Sequence, residues 1–310
     1  MTTEHPLCIG IDVSKAELAI YDGSSFITVV NTTKQIKAWL KTLTGPARIA
    51  VEATGTYHLQ VLEQASRKGH ALFVVDGFRL NRYRDSVGGR AKTDLADAKL
   101  LWRYLRHEYD HLRPWVAPPP GYARLKRLLN RRAKLVKMGV AVRQSLAGVP
   151  ELRTACRSLL ERLDRLLASI DRLLQHQVEK SGLQDQIKRV GAIEGIGKLN
   201  ATALTTAYLR GAFRSSDAFI AFLGLDVRIR DSGRQRGRRK LTKQGDSETR
   251  RLLHNAAMAA SRRGRWHQLH QANLARGLTR IQSLVIVARK LARLAFALLK
   301  SGAQYRPQPT

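Results

Sequence analysis

The chain has 310 residues, enough for two domains, and 44% of them are hydrophobic, so general disorder is excluded. Lys and Arg number 55 against 24 Asp and Glu, and the resulting +31 implies a polyanionic partner, nucleic acid before anionic membrane. No apolar run approaches the roughly 20 residues needed to cross a bilayer, since the strongest, Leu284 to Leu299, is broken by Arg289, Lys290 and Arg293. Cys8 and Cys156 are too few for a disulfide framework or a zinc cluster and fit a reducing cytoplasm. The N-terminus reads as a strand rather than a secretory signal.

In chain order, Leu7–Val13, Leu18–Tyr21 and Phe26–Val30 read as three short strands joined by turn-rich links. A helix around Lys34–Leu43 follows, then an apolar strand at Arg48–Ala53. Thr56 is expected to cap a helix that runs to about Lys68, before a further strand at His70–Asp76. Three strands, helix, strand, helix, strand, helix is the order expected of a ribonuclease-H-like α/β domain. Asp12 interrupts the first strand and Glu52 ends the fourth, although apolar strands pack acids poorly. Asp94 and Asp97 leave one face of a helix that Thr93 is expected to cap. Each acid taken singly is equally well a strand end or a helix start favoured by the macrodipole. As a set of oxygen donors without clustered His or Cys, the four suit Mg²⁺ or Mn²⁺ rather than zinc.

The run Ala117-Pro118-Pro119-Pro120-Gly121 reads as a stiff boundary. A basic helix over about Tyr122–Leu146 comes next. From His111 to Pro150 there are nine Lys or Arg and no acid; from Thr249 to Thr310, twelve and none. Such one-sided segments with regular apolar positions read as folded, phosphate-facing surfaces. In the following helix, from about Glu151, the residues Leu152, Cys156, Leu159, Leu163, Leu166, Ile170 and Leu173 form a heptad seam. That seam is either one side of an intramolecular helical hairpin or a subunit interface.

Between Gly191 and Lys198 the glycines fall at the wrong spacing for a P-loop, and Leu199 replaces the required Ser or Thr. The Gly195-Ile196-Gly197-Lys198 turn instead resembles a helix-hairpin-helix element, in which backbone N–H groups approach a phosphate. The segment Asp226–Lys243 reads as a basic loop carrying Arg228, Arg230, Arg234, Arg236, Arg238, Arg239, Lys240 and Lys243 around Ser232-Gly233. On chemistry alone Ser232 is one polar loop residue among many, although neighbouring guanidinium groups favour an alkoxide and the phosphate it would attack. The remainder, to Gly302, reads as amphipathic basic helices in which His254, His267 and His270 are solvated and Trp266 anchors packing. From Tyr305 onward the chain reads as a frayed tail.

Three segments carry a resemblance: Gly10-Ile11-Asp12-Val13-Ser14-Lys15, Val51-Glu52-Ala53-Thr54-Gly55 and Lys92-Thr93-Asp94-Leu95-Ala96-Asp97-Ala98. In order, spacing and flanking residues they resemble the motifs of the DEDD insertion-sequence transposases. This family, numbered one-ten, has an eleven-eleven subgroup and includes the Piv-type DNA invertases, and its N-terminal domain is similar to the Holliday-junction resolvase RuvC. Further on, Gly224-Leu225, Ser232-Gly233, Gly237 and Thr242-Lys243-Gln244-Gly245 follow the pattern of the family's C-terminal domain, with Asp231 a departure from it. The resemblance implies that Asp12, Glu52, Asp94 and Asp97 bind Mg²⁺ or Mn²⁺ and that Ser232, with Ser247 as runner-up, is a catalytic serine.

The resemblance further implies a RuvC-like domain over 1–115, a basic helix and coiled-coil segment over 116–185, a mostly α transposase domain over 186–302 and a tail over 303–310. Its implied activity is DNA transposition through a phosphoseryl link, guided by a structured non-coding RNA that pairs with donor and target DNA. Assembly as a dimer or tetramer through the coiled coil, in the prokaryotic cytoplasm at the nucleoid, is also implied, with no membrane partner. The competing expectations are a metal-dependent junction-resolving nuclease and a non-enzymatic nucleic-acid-packaging protein.

Overall fold

The computed structural model describes residues 6–53, 55–88, 93–228, 231–232, 235–237 and 239–307, and only the backbone of 231, 232, 235 and 236. It contains two compact units, 1–117 and 118–310.

In the first unit, β1 (Cys8–Val13), β2 (Glu17–Tyr21) and β3 (Phe26–Val30) form an antiparallel meander, followed by α1 (Thr33–Leu40). Next come β4 (Arg48–Glu52), α2 (Leu59–Arg67), β5 (Ala71–Val75), α3 (Gly77–Ser86) and α4 (Asp94–Glu108). Strands β1, β4 and β5 run parallel, and the sheet order is β3-β2-β1-β4-β5. This topology is compatible with a ribonuclease-H-like domain. The period of two along a strand sorts the core. Ile9, Ile11 and Val13 of β1 and Ile49 and Val51 of β4 face one way, into a core shared with Ile36, Trp39, Val61 and Leu62 of α1 and α2. Ala50 and Phe73 face the other way, against Leu80 of α3 and Leu101 and Leu105 of α4. Helix α2 starts two residues later than the sequence suggests, with His58 rather than Thr56 at its N-cap. Thr56 accepts the Leu59 amide through its backbone carbonyl and forms a turn, so its side chain caps nothing.

The second unit opens with α5 (Tyr122–Ser145) and α6 (Arg153–Lys180). They pair as a hairpin, with the Arg132 guanidinium donating to both Asp171 carboxylate oxygens at 2.6 and 3.2 Å. Then follow α7 (Gln184–Gly191), α8 (Lys198–Tyr208) and α9 (Ser216–Phe222). Four two-residue strands come next: β6 (Val227–Arg228), β7 (Asp231–Ser232), β8 (Gln235–Arg236) and β9 (Lys240–Leu241). The chain ends in α10 (Ser247–Ala260), α11 (Gly264–Ala275) and α12 (Arg280–Ser301). One core runs through this unit, from Leu125, Leu129, Ile170 and Leu174 to Val287, Leu291 and Phe296. Helix α12, started by a Thr279–Gln282 capping box and ended at Gly302, packs on α7, α8, α9, α10 and α11. Among the described residues no helix is long and apolar enough to cross a membrane.

Three side-chain expectations need correction. His270 is buried, not solvated, and shares a 2.7 Å hydrogen bond with the Ser283 hydroxyl inside the α11–α12 contact. The tail is pinned at Tyr305, whose hydroxyl donates to Glu194 at 2.6 Å and accepts from Arg265 at 2.7 Å. Trp266 adds its own N–H to Glu194 at 3.0 Å, which gives a half-buried carboxylate two donors. Asp226–Lys243 is not a plain loop but a pair of short antiparallel ribbons, with Val227 opposite Leu241 and Ser232 opposite Gln235.

Candidate active site

Strand parity puts two of the acids on one face. Asp12 lies two residues beyond Gly10, on the face of β1 opposite Ile11. Glu52 lies two beyond Ala50 on β4, one residue past the registered pair Ile11–Val51. Both therefore face the side of the sheet covered by α4. Gly10 explains how closely that helix comes: a Cβ there would collide with the Ala98 carbonyl and the Trp102 amide of α4. Thr93 caps α4 as expected, its hydroxyl accepting from the Ala96 amide at 3.2 Å. The first turn of α4 then carries Asp94, which is exposed, and Asp97, which is buried.

The four acids share one electrostatic environment. Burial, followed by the charges of Asp97, Asp94 and Glu52, pushes the Asp12 carboxyl up to about 6. Glu52 rests beside Gly77, the first residue of α3, where a Cβ would stand 2.5 Å from its carboxylate oxygen. Arg84, in the last turn of the same helix, donates to Asp97 at 2.6 Å. Sequence reasoning missed this contact. Arg79, Arg82 and Arg84 are chemically alike on a basic helix, and only the fold turns one of them inward.

Metal chemistry fits the donors but not their present arrangement. The set is all carboxylate, as hard divalent ions prefer. Among the described residues, however, no three His, Cys, Asp or Glu converge closely enough to hold an ion.

In the second unit the ribbon rises from a tight neck. Gly224, in the left-handed region at φ +68°, would place a Cβ 2.8 Å from the Gln244 amide. A Cβ on Gly245 would meet the Phe222 carbonyl at 2.5 Å. The neck is closed by Thr242, whose amide and hydroxyl both donate to Asp226, and by the Lys243 amide donating to the Gly224 carbonyl at 3.2 Å. The Gly-Leu and Lys-x-Gly pieces of the pattern thus clamp the base of the segment that carries Ser232. Arg228, Arg239, Lys240 and Lys243 are exposed on it. Arg230, Arg234 and Arg238 lie outside the described residues, and of Ser232 and Arg236 only the backbone is described.

Asp246 caps α10, on which the neck rests, and Lys126 reaches it at 3.2 Å. Burial would raise this carboxyl, but the Thr249 hydroxyl and amide and the Lys126 ammonium outweigh burial and hold it low. A depressed carboxyl stabilises the fold above its unfolded value, and that contribution is lost as pH falls through the folded value. Thr249→Val should therefore cost about 1 kcal/mol at neutral pH. The gap in melting temperature should narrow between neutral pH and a pH well below the ordinary carboxylate range, as the depressed Asp246 carboxyl takes up its proton. An equal gap at both pH values would refute the assignment.

The glycine turn between α7 and α8 divides in two. Gly195 (φ +80°) is pressed against α10, where a Cβ would collide with the Ala256 carbonyl and approach the Ala260 amide at 2.7 Å. Its glycine requirement is thus met inside the protein. Gly197 faces open space at the N-terminus of α8, with exposed Lys198 beside it.

A five-stranded mixed sheet bearing acids at the ends of two parallel strands, with two more on the helix covering them, defines a carboxylate-bearing, ribonuclease-H-compatible domain. Comparison with known proteins places it further. Residues 9–149, which include all four acids, match the DEDD IS110 model, described as a transposase. Residues 187–271, which include the glycine turn and the ribbon, match the Transposase IS116/IS110/IS902 family model. Over both segments the chain is similar to the IS116/IS110/IS902 transposases.

Among its relatives, a probable family 20 transposase of Pseudomonas aeruginosa is 33% identical over 171 residues, which is 52% of this chain and 48% of that one. A pilin gene-inverting protein of Moraxella bovis is 25% identical over 84% of this chain and 83% of its own. The transposase for insertion sequence element IS1328 of Yersinia enterocolitica is 32% identical over 54% of each. The chain thus spans about half the length of the Pseudomonas and Yersinia relatives and most of the Moraxella one.

Proposed function

We propose that the protein is a DNA transposase that cuts and rejoins strands, with Asp12, Glu52, Asp94 and Asp97 taking up Mg²⁺ or Mn²⁺ and Ser232 forming a phosphoseryl link to DNA. The observation that carries this reading is the grouping of β1, β4 and α4 acids around Asp12 inside the segment matched by the DEDD transposase model. The hydrogen-bonded neck at the base of this segment supports a role for it in presenting Ser232. Divalent ions held by the acids would neutralise charge developing on the phosphate.

A structured guide RNA and the donor and target DNA are the partners in this reading. The exposed Arg124, Arg127, Arg131, Lys134 and Lys137 of α5 and the open face at Gly197-Lys198 supply backbone contacts to them. Supercoiled donor and target, with RNA and Mg²⁺, separate the alternatives. Wild type recombines, while Ser232→Ala and Asp12→Ala do not. Recombination by Ser232→Ala would eliminate the serine mechanism, and cleavage without any rejoining would favour a junction-resolving nuclease.

The heptad seam supports a second copy of the chain as partner. Ile170 is buried in the hairpin and Leu163 half-buried, but Leu159, Leu166 and Leu173 remain 46%, 49% and 42% exposed. An apolar stripe at seven-residue spacing is what a coiled-coil partner covers. Leu159→Glu with Leu166→Glu should reduce the mass in solution to that of a monomer, read by light scattering, and barely change the melting temperature. An unchanged mass would remove the seam from assembly.

A further inference from the structure

We propose that Arg84 is the resting counter-ion of the acidic site: it holds Asp97 where a divalent ion would, and it must leave before that ion is taken up. The inference rests on the proposal that the four acids are the metal site, and it follows from the mismatch between their chemistry and their geometry.

The donor set is right for a hard cation, yet among the described residues no three ligands converge. What does reach a carboxylate is a guanidinium. Arg84 meets Asp97 Oδ1 at 2.6 Å, and the two side chains are only 15% and 11% exposed. Its other nitrogen donates to Asn81 Oδ1 at 2.8 Å, one turn back on α3, so the fork is aimed by its own helix. Arg82, two residues earlier, is turned onto the Phe78 ring and is exposed, so the inward course of Arg84 is not a property of every Arg on α3.

Arg84 brings one positive charge to Asp97, whereas a divalent ion would bring two to the same group of carboxylates. Metal and Arg84 then compete for Asp97, and their binding is negatively coupled. A merely structural tie between α3 and α4 predicts the opposite sign. Without Arg84 the helices would loosen, Glu52 beside Gly77 would lose its place, and metal would bind less well.

The test is Mn²⁺ binding to the full-length protein without nucleic acid, read by calorimetry and by the loss of the free-Mn²⁺ electron paramagnetic resonance signal. Arg84→Gln should bind Mn²⁺ roughly tenfold more tightly than wild type, and Arg84→Lys, which keeps the charge but not the fork, should fall between them. Asp12→Asn should bind more weakly. If Asp12→Asn weakens binding while Arg84→Gln leaves it unchanged or weaker, the acids are the metal site and the competition is refuted. If Asp12→Asn leaves Mn²⁺ affinity untouched, the metal-site reading itself fails and the role of Arg84 falls with it. Should Arg84→Gln not fold, Arg84→Lys carries the same prediction, and affinity no tighter than wild type overturns it.

Discussion

Asp12→Asn should lower DNA strand cleavage by roughly a thousandfold and at the same time make the metal-free protein harder to melt. The two effects share one cause. Asp12 stands where burial and the charges of Asp97, Asp94 and Glu52 coincide, so its ionised form is costly and its carboxyl is pushed up to about 6. An amide of the same shape removes that cost and with it the negative charge on which the proposed metal site depends.

The pH dependence has a definite sign. Because the folded value lies above the unfolded one, the native state takes up its proton first, and the metal-free protein gains stability as pH falls from neutrality through about 6. Melting curves in chelator should show that gain in wild type and not in Asp12→Asn. A variant that melted lower than wild type at neutral pH would mean that Asp12 is a structural acid.

Gly10→Ala should be the most damaging single methyl group in the first unit. The added carbon meets backbone atoms of α4, the Ala98 carbonyl and the Trp102 amide, which cannot swing aside as a side-chain tip could. Either β1 or the helix must shift, at about 3 kcal/mol by the measure of overpacked cores. The shift also carries Asp94 and Asp97 away from Asp12, so cleavage should fall further than stability alone explains. Denaturant unfolding together with cleavage at a temperature where the variant stays folded separates the two losses. Wild-type stability in Gly10→Ala would show that α4 is not seated as described.

Much of this site was legible because chemistry and periodicity coincide. Apolar strands with an acid at the fifth position of β1 and at the end of β4, and Thr93 ahead of two acids on a helix, announce themselves through patterns of two and of three to four residues. Gly10 could be read as part of a motif but not as the contact that seats α4, because a close backbone approach leaves no sign beyond the glycine itself. Arg84 was hidden among equivalent arginines.

The ribbons of 226–243 escaped because arginines replace the apolar alternation that marks a strand, and their neck is made by distant pairs such as Thr242 with Asp226. The burial of Tyr305 and His270 is hidden in the sequence for a related reason. Each is a polar residue near a chain end or on a basic helix, and each is buried by a partner remote in sequence, Glu194 or Ser283.

If carboxylates prepare a phosphate for a serine, the protein must pass through a covalent link to DNA. The most direct measurement is to trap the protein on end-labelled DNA in Mg²⁺, denature it, and locate any covalent adduct by peptide mass spectrometry. The expected result is an adduct on Ser232 that needs a divalent ion and disappears in Asp12→Asn. Cleavage with no adduct, or an adduct on Ser247 in place of Ser232, would contradict it.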